Sequence, residues 1–327
     1  MSARPDLADR SIASRREGRI GRITLNRPHA LNALTTEMIQ AIIVALELWR
    51  HDPAVHLALI ESSSERAFCA GGDVRTVREW VAANDWQAVE AYFTLEYALN
   101  RIIAHYNKPY VALIDGICMG GGIGLAIHGA VRVVTEHAQL AMPETQLGLF
   151  PDIGASYFLP RLRGVFGMFL GITGARIGAG DACWLGMATH YCPRSSLPAL
   201  IGNLAENGTA ALSELEADPP AATLPAIEAD VRSVFSQSSI ERIVEALERL
   251  DQPWATEALR AMRSASPSAL RWSFDLLQAG AHRTFEECQR AETLLARRAC
   301  SHPDFAEGVR ANVIDKDRAP RWQTLPA

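Results

Sequence analysis

Residues 108–135 read KPYVALIDGICMGGGIGLAIHGAVRVVT, and this stretch decides the fold class. The apolar run 110–114 is typical of a buried strand, and the run 131–135 is a second one. Between them, three consecutive glycines (120–122) open an apolar segment of helical length, 123–129. This order of strand, glycine-rich turn, helix and strand predicts an α/β unit whose strands are covered by helices.

The same alternation extends on both sides of this stretch. The predicted strands are 21–26, 55–60 and 139–142, and the predicted helices are 36–50, capped by Thr35 or Thr36, and a long broken region over 73–106. Because strands and helices alternate to about residue 145, the loops after the strands are the expected place for a site.

The last third of the chain has a different pattern. The strand signal disappears after residue 157, and residues 195–225 predict a helix followed by a linker. Five helical stretches follow between 239 and 313. The sequence therefore predicts two parts, a core over 15–200 and a helical C-terminal region over 201–327.

Composition excludes several classes of function. The chain has 327 residues, of which 48% are hydrophobic and 21% charged, as in ordinary globular proteins. Its net charge of −5 provides no basic field for a nucleic acid or an anionic lipid surface. The most apolar stretch, 109–134, contains Asp115, His128 and Arg132, so we expect no membrane span.

The cysteines and the N-terminal residues predict a cytoplasmic protein. Six cysteines occur without a C-x-x-C pair, as expected for reduced thiols. The first twenty residues contain no apolar segment of the secretory type, and Asp6, Asp9 and Glu17 are unusual in a mitochondrial presequence.

Two glycine clusters lie at the ends of predicted strands, AGGD at 70–73 and GICMGGGIG at 116–124. Glycine lets backbone N–H groups turn outward and lets a ligand approach, so two such loops can point donors at one oxygen. Close helix packing and ordinary turns remain alternative explanations. A dinucleotide-binding motif fits poorly because its third glycine would fall on Ile127, and no Walker loop is present.

Two acids stand in the loop segment PETQLGLFPDIG at 143–154. Glu144 and Asp152 are otherwise surrounded by apolar residues, glycine and proline, so desolvation is expected to raise their pKa values. A carboxyl group of this kind is suited to act as a base or an acid. The alternative is structural, with Asp152 capping the helix that continues through Tyr157 and Glu144 paired with an arginine.

Several segments together resemble the enoyl-CoA hydratase/isomerase (crotonase) superfamily. They are AFCAGGDV (67–74), KPYVALIDG (108–116), MGGG (119–122) and MPET (142–145). The uninterrupted stretch 143–152 and the tail DFAEGVRA (304–311) with IDKD (314–317) resemble the 3-hydroxyisobutyryl-CoA hydrolase branch. The resemblance covers about residues 15–322 and implies a spiral of strand-strand-helix turns with a helical C-terminal region.

The resemblance also implies an oxyanion hole and a reaction. In the family, the hole is formed by the backbone N–H groups at the positions of Gly72 and Gly121. Family hydratases carry a second glutamate where this chain has Gly124, and they usually have glycine where it has Asp152. These two departures favour hydrolysis of a thioester over hydration of a double bond.

Further roles come from the same resemblance. Glu144 would attack the thioester carbonyl or activate the water that does so, and Asp152 would hold the substrate hydroxyl or that water. Glu96 matches a substrate-contacting glutamate of the hydrolases, although an acid on a helix surface has the same pattern. Arg66 and Lys316 are candidates for binding the phosphates of CoA, with a solvated surface as the alternative.

The expected activity is therefore hydrolysis of a short 3-hydroxyacyl-CoA thioester, with 3-hydroxyisobutyryl-CoA of valine breakdown as the leading substrate. The alternatives are an enoyl-CoA hydratase or isomerase, and a non-catalytic protein that binds CoA esters. The partner is a small-molecule CoA thioester, with no nucleic acid and no membrane, and a homo-oligomer is possible. No metal or redox cofactor is implied, since CoA belongs to the substrate.

Overall fold

The computed structural model describes residues 11–215 and 217–323. Its strands are β1 (Ile12–Glu17), β2 (Ile20–Leu25), β3 (Leu57–Ser62), β4 (Ala67–Cys69), β5 (Tyr110–Ile114), β6 (Ile117–Met119), β7 (Val131–Val134), β8 (Gln139–Ala141) and β9 (His190–Tyr191). Its helices are α1 (Thr36–Arg50), α2 (Val74–Ala82), α3 (Trp86–Ala104), α4 (Gly121–Ile127), α5 (Ala155–Phe158), α6 (Phe166–Thr173), α7 (Ala179–Leu185), α8 (Leu197–Asn207), α9 (Glu228–Phe235), α10 (Ile240–Glu248), α11 (Pro253–Ser264), α12 (Pro267–Gly280), α13 (Phe285–Ser301) and α14 (Pro303–Val309).

The strands form two sheets. The larger has the order β1-β2-β3-β5-β7-β9, and the smaller has the order β4-β6-β8. Each successive pair, β3 with β4, β5 with β6 and β7 with β8, gives its first strand to the larger sheet and its second to the smaller one. The larger sheet is parallel except where β1 meets β2. This arrangement confirms the predicted spiral of strand-strand-helix turns.

The core explains why these segments become strands. In the register, Leu59 lies opposite Val111, and Val111 lies opposite Val131, so apolar side chains line up across the larger sheet. Together with Leu200 and Leu204 of α8, they form one buried cluster. Burial of such side chains supplies about 1.5–3 kcal/mol each.

The described chain divides into two compact units. The first consists of Met1–Gly72, Ala98–Leu140 and Gly178–Ala221 and contains the six-stranded sheet. The second consists of Asp73–Tyr97, Ala141–Ile177 and Ala222–Ala327. Helices α9 to α14 belong to the second unit and confirm the helical C-terminal region. Because α8 crosses the predicted boundary at residue 200, the division into 15–200 and 201–327 stays a prediction.

Some predicted elements differ in detail. The helix expected over 123–129 begins two residues earlier, at Gly121. The long helical region breaks between Ala82 and Trp86, where Asn84 has a φ of 56°. The last strand, β9, was not predicted, since its two residues are too short for a periodic signal. Among the described helices, none combines the length and the apolar character needed to cross a membrane.

Candidate active site

The two glycine clusters lie together in the first unit. Strands β4 and β6 pair in parallel, with Ala67 opposite Ile117. The cluster 70–73 follows β4, and the three glycines of the second cluster, 120–122, follow β6. The carboxyl ends of parallel strands meet at one edge of a sheet, so the two loops leave the sheet side by side. A Cβ built on Gly71 would lie only 3.4 Å from the backbone nitrogen of Gly121. The structure therefore brings together the loops that contain Gly72 and Gly121.

Glycine is required in these loops for two reasons. Gly120 has φ 49° and ψ −123°, a conformation that other residues adopt only with strain. A Cβ on Gly122 would lie 2.2 Å from the carbonyl oxygen of Cys69, so only glycine lets α4 pack this closely against β4. The Gly71 carbonyl is fixed by the Leu34 N–H at 2.8 Å. The glycines therefore allow α4 to pack closely against β4, and a hydrogen bond also fixes the loop that contains Gly71.

Glu144 is held at the start of a short 3-10 helix (Glu144–Leu147) in the second unit. The next residue anchors this turn, because the Thr145 hydroxyl donates to the Ile172 carbonyl at 3.3 Å and the Thr145 carbonyl accepts from the Ser266 N–H at 3.1 Å. The Glu144 side chain is buried, and its Oε2 atom has no hydrogen-bond partner among the described residues.

Asp152 has a specific partner. The Tyr97 hydroxyl of α3 donates to Asp152 Oδ2 at 2.8 Å. Helix α5 begins after Gly154 without a side-chain cap, so the interpretation of Asp152 as a helix cap is wrong. Its backbone carbonyl closes the turn instead, by accepting from the Ala155 N–H at 2.8 Å. In the described chain, neither Glu144 nor Asp152 forms an ion pair, so the predicted alternative of an arginine partner is also wrong.

Three buried acids of the second unit, Glu96, Glu144 and Asp152, have raised pKa values. Burial raises the pKa of Glu144 well above its usual range, and the charges of Asp152 and Glu96 add to this effect. Burial also raises the pKa of Asp152 to about 6, although the Tyr97 hydroxyl bond favours the charged form. Carboxyl groups that interact in this way titrate together, so their pKa values belong to the group rather than to single residues.

Glu96 belongs to this acidic group. It lies on α3 with only 4% of its surface exposed, so the alternative of an acid on a helix surface is wrong. Burial, followed by the charge of Asp152, raises its pKa well above the usual range. Its Oε1 atom also lacks a hydrogen-bond partner in the described part of the chain. A buried acceptor without a donor is suited to bind a hydroxyl group or a water molecule.

Two residues that contact or neighbour this acidic group were not predicted from the sequence. Tyr97 donates to Asp152, and nothing in its sequence neighbourhood distinguishes it from a core tyrosine. Glu292 of α13 is fully buried and accepts hydrogen bonds from Gly154 and Ser156. Burial raises the pKa of Glu292 to about 8, and the hydrogen bonds that it accepts oppose this shift. Both residues lie far along the chain from the segment 152–156 that they contact, so no sequence motif near that segment could indicate them.

A family model described as enoyl-CoA hydratase/isomerase matches residues 20–325. The chain belongs to the enoyl-CoA hydratase/isomerase family. Among curated relatives of this family member, the 3-hydroxyisobutyryl-CoA hydrolase, mitochondrial, of Danio rerio is 40% identical over 319 residues, covering 94% of this chain and 83% of the relative. The protein of the same name in Homo sapiens is 39% identical and covers 99% of this chain and 86% of the relative.

Two solved structures that are similar to this chain carry names other than hydrolase. An enoyl-CoA hydratase from Rhodobacter sphaeroides is 40% identical with a TM-score of 0.89, covering 96% of this chain and 92% of that one. A carnitinyl-CoA dehydratase from Mycobacterium thermoresistibile is 34% identical with a TM-score of 0.91 and the same coverage. The names agree on CoA compounds and differ on the reaction, so this chain's own residues must decide between reactions.

The position of the second hydratase acid has a distinct environment in this family member. Gly124 is buried in α4, and its carbonyl accepts from Nδ2 of Asn100 at 3.2 Å. The Asn100 Oδ1 atom is buried without a partner among the residues that the structure describes. This position therefore carries no acid in this chain, and the polar side chain that contacts it is the amide of Asn100 on α3.

The candidate phosphate-binding residues lie at the surface. Arg66 of the first unit and Lys316 of the second are both exposed, and neither lies in the buried acidic group. Their role in holding CoA stays a prediction. In the described ranges, no group of histidine, cysteine and acidic side chains is arranged to hold a metal ion, and none of the six cysteines forms a disulfide.

Proposed function

We propose that this enzyme hydrolyses 3-hydroxyisobutyryl-CoA to 3-hydroxyisobutyrate and CoA, a step of valine breakdown. The observation that carries the proposal is a buried Glu144 with an unpartnered oxygen, grouped with Asp152 and with no acid at position 124. A single glutamate suits attack at one carbonyl carbon, whereas hydration in this family uses two. The hydrolase names of the curated relatives support the same reaction.

In the proposed mechanism, the thioester oxygen accepts hydrogen bonds from the backbone N–H groups of Gly72 and Gly121. Donors of this kind stabilise the charge that develops in the tetrahedral intermediate, each by about 3–4 kcal/mol in other acyl-transfer enzymes. Glu144 either attacks the carbonyl carbon, giving a mixed anhydride that water then cleaves, or removes a proton from the attacking water. The thiolate of CoA leaves, and thiols have a pKa near 8.5, so no strong acid is required.

Two neighbouring groups would select the acyl part. Asp152, held by the Tyr97 hydroxyl, is proposed to bind the 3-hydroxyl group of the substrate or the hydrolytic water. Glu96 offers a second buried acceptor for the same hydroxyl. Arg66 and Lys316 are proposed to contact the phosphates of CoA, since both are exposed cations.

The test measures two reactions with one preparation of the enzyme. Release of free thiol from 3-hydroxyisobutyryl-CoA is followed with a thiol reagent, and addition of water to crotonyl-CoA is followed by loss of the conjugated double bond. We expect rapid thiol release and no hydration above background. Hydration without thiol release would support the second candidate, an enoyl-CoA hydratase, which the name of the Rhodobacter sphaeroides structure favours.

A non-catalytic binding protein gives a third pattern. Calorimetry with a CoA ester would then show binding while both turnover assays stay at background. A single turnover in ¹⁸O-labelled water identifies a nucleophilic Glu144 when label enters its carboxylate, because only a covalent anhydride that water opens at the Glu144 carboxyl carbon leaves label on the enzyme. Under the general-base mechanism, the label enters the product alone.

The compartment and the number of subunits are also proposals. Six cysteines without a disulfide suit a reducing compartment, and we keep the cytoplasm as the prediction. The names of the curated relatives assign those proteins to mitochondria. Fluorescence microscopy of the tagged full chain tests the location, and light scattering coupled to gel filtration tests whether the enzyme forms a homo-oligomer.

A further inference from the structure

Glu292 is a buried acid that the proposed mechanism does not use. It lies on α13 with none of its surface exposed. Its Oε2 atom accepts from the Gly154 N–H at 2.7 Å, and its Oε1 atom accepts from the N–H and hydroxyl of Ser156 at 3.0 and 2.5 Å. All three donors belong to the segment that directly follows Asp152. Burying the polar oxygens of a carboxyl group costs free energy unless they form hydrogen bonds such as these.

The segment after Asp152 needs an anchor of this kind. Ile153 has a φ of 56°, which is rare for a branched side chain, and Gly154 follows with a φ of 82°. Strained residues persist only when their surroundings hold them. Glu292 accepts hydrogen bonds from the two amides at 154 and 156, so it fixes the direction in which this turn leaves Asp152.

A second contact from the same helix holds the other partner of Asp152. Gln289 lies three residues before Glu292, on the same face of α13. Its Nε2 atom donates to the Tyr97 carbonyl at 3.3 Å, and the Tyr97 hydroxyl donates to Asp152. One face of α13 therefore anchors both the backbone that carries Asp152 and the residue that binds its carboxylate.

We propose that Glu292 is a positioning residue for Asp152, holding its carboxylate where the substrate hydroxyl or the hydrolytic water binds. This inference rests on the proposed function, because that function gives Asp152 its role. Glu292 itself touches no reacting atom. Its effect on the rate therefore passes through Asp152 alone.

A double-mutant cycle tests this dependence. Glu292→Gln places an amide NH₂ against one of the N–H donors, so the turn loses part of its anchor. We expect kcat to fall about 100-fold, the cost of a displacement of roughly 1 Å, while KM changes little. Combined with Asp152→Asn, the substitution should slow the enzyme no further than Asp152→Asn alone. If Glu292→Gln instead caused a general structural defect, it would lower kcat by the same factor in the wild type and in Asp152→Asn.

The matched control changes the same helix elsewhere. Glu287 of α13 is exposed and accepts from the Thr284 N–H at 2.9 Å, so Glu287→Gln makes the same chemical change away from Asp152. We expect this variant to keep the kcat of the wild type. Wild-type kcat in Glu292→Gln, or an equal loss in both Asp152 backgrounds, would overturn the inference.

Hydrogen exchange separates this inference from the proposed function. The amides of Gly154 and Ser156 should exchange faster in Glu292→Gln than in the wild type, and Glu287→Gln should leave both unchanged. If the wild type releases no thiol but hydrates crotonyl-CoA, the proposed function fails and the same cycle is measured on hydration. Unchanged exchange at both amides would refute the anchor, whichever reaction the enzyme catalyses.

Discussion

Gly122→Ala tests how closely the two glycine loops are fitted. A Cβ at this position would lie 2.2 Å from the Cys69 carbonyl oxygen and 2.9 Å from its carbon. Restoring a contact of 3.0 Å requires a shift of about 0.8 Å, since shorter separations are strongly repulsive. The neighbour is backbone, so it cannot move away by rotating a side chain.

This shift has two consequences. Overpacking of this kind costs typically about 1–3 kcal/mol of unfolding free energy. Cys69 ends β4 just before Gly71 and Gly72, so the shift also displaces the proposed oxyanion donor. A misplacement approaching 1 Å lowers a rate by up to about 100-fold, so we expect kcat to fall roughly 30- to 100-fold.

The assay combines urea unfolding with thiol release from 3-hydroxyisobutyryl-CoA. Gly202→Ala is the matched control, because Gly202 also lies in a helix, α8, and a Cβ there meets nothing within 4 Å. This control should gain about 0.5–1 kcal/mol of stability and keep its kcat. Wild-type stability and kcat in Gly122→Ala, or equal losses in both variants, would refute the reasoning.

Four other substitutions test the acids and the surface cations. Tyr97→Phe removes the hydroxyl that donates to Asp152, so the pKa of Asp152 should rise above about 6 and the acid limb of the kcat/KM profile should move to higher pH. Burial raises the pKa of Asp152 from 3.8 in the unfolded chain to about 6 in the folded enzyme. The charged form of Asp152 therefore destabilises the folded state above pH 6, and this loss of stability decreases as the pH falls towards 3.8. Asp152→Asn should therefore raise the unfolding free energy in urea at pH 8, on the order of 1–2 kcal/mol, with no gain at pH 4. Arg66→Ala and Lys316→Ala should each raise KM about 1.5- to 5-fold at constant kcat, because exposed ion pairs contribute little binding energy. With a pantetheine thioester, which lacks the nucleotide, each variant should have the same KM as the wild type.

The elements with strong local patterns were predicted most accurately. The bounds of α1 agree with the predicted 36–50, and the Thr35 hydroxyl caps it by accepting from the Met38 N–H. Strand β5 has the predicted bounds as well. In both segments, local periodicity and the tertiary environment favour the same structure, so the sequence alone is sufficient. By contrast, β4 and β6 have three residues each, too few to stand out from the glycine loops that follow them.

The sequence pointed to Glu96, Glu144 and Asp152 as candidate site residues but not to the contacts that these residues make. Whether Asp152 capped a helix depended on its side-chain partner, and that partner, Tyr97, lies 55 residues away. Gly154 and Glu292 are 138 residues apart, so their hydrogen bond leaves no local signal either. Burial of Glu96 follows from tertiary packing, and the periodicity of α3 did not reveal it. Such contacts exist only once distant segments have been brought together.

The most direct test of the central claim is the turnover of Glu144→Gln, measured beside its affinity for a CoA ester by calorimetry. The substitution keeps the size of the side chain and removes its ability to attack the carbonyl or to accept a proton from water. We predict no thiol release above background and a Kd close to that of the wild type. Thiol release at the wild-type rate would contradict the account, because the proposed reaction requires the Glu144 carboxylate.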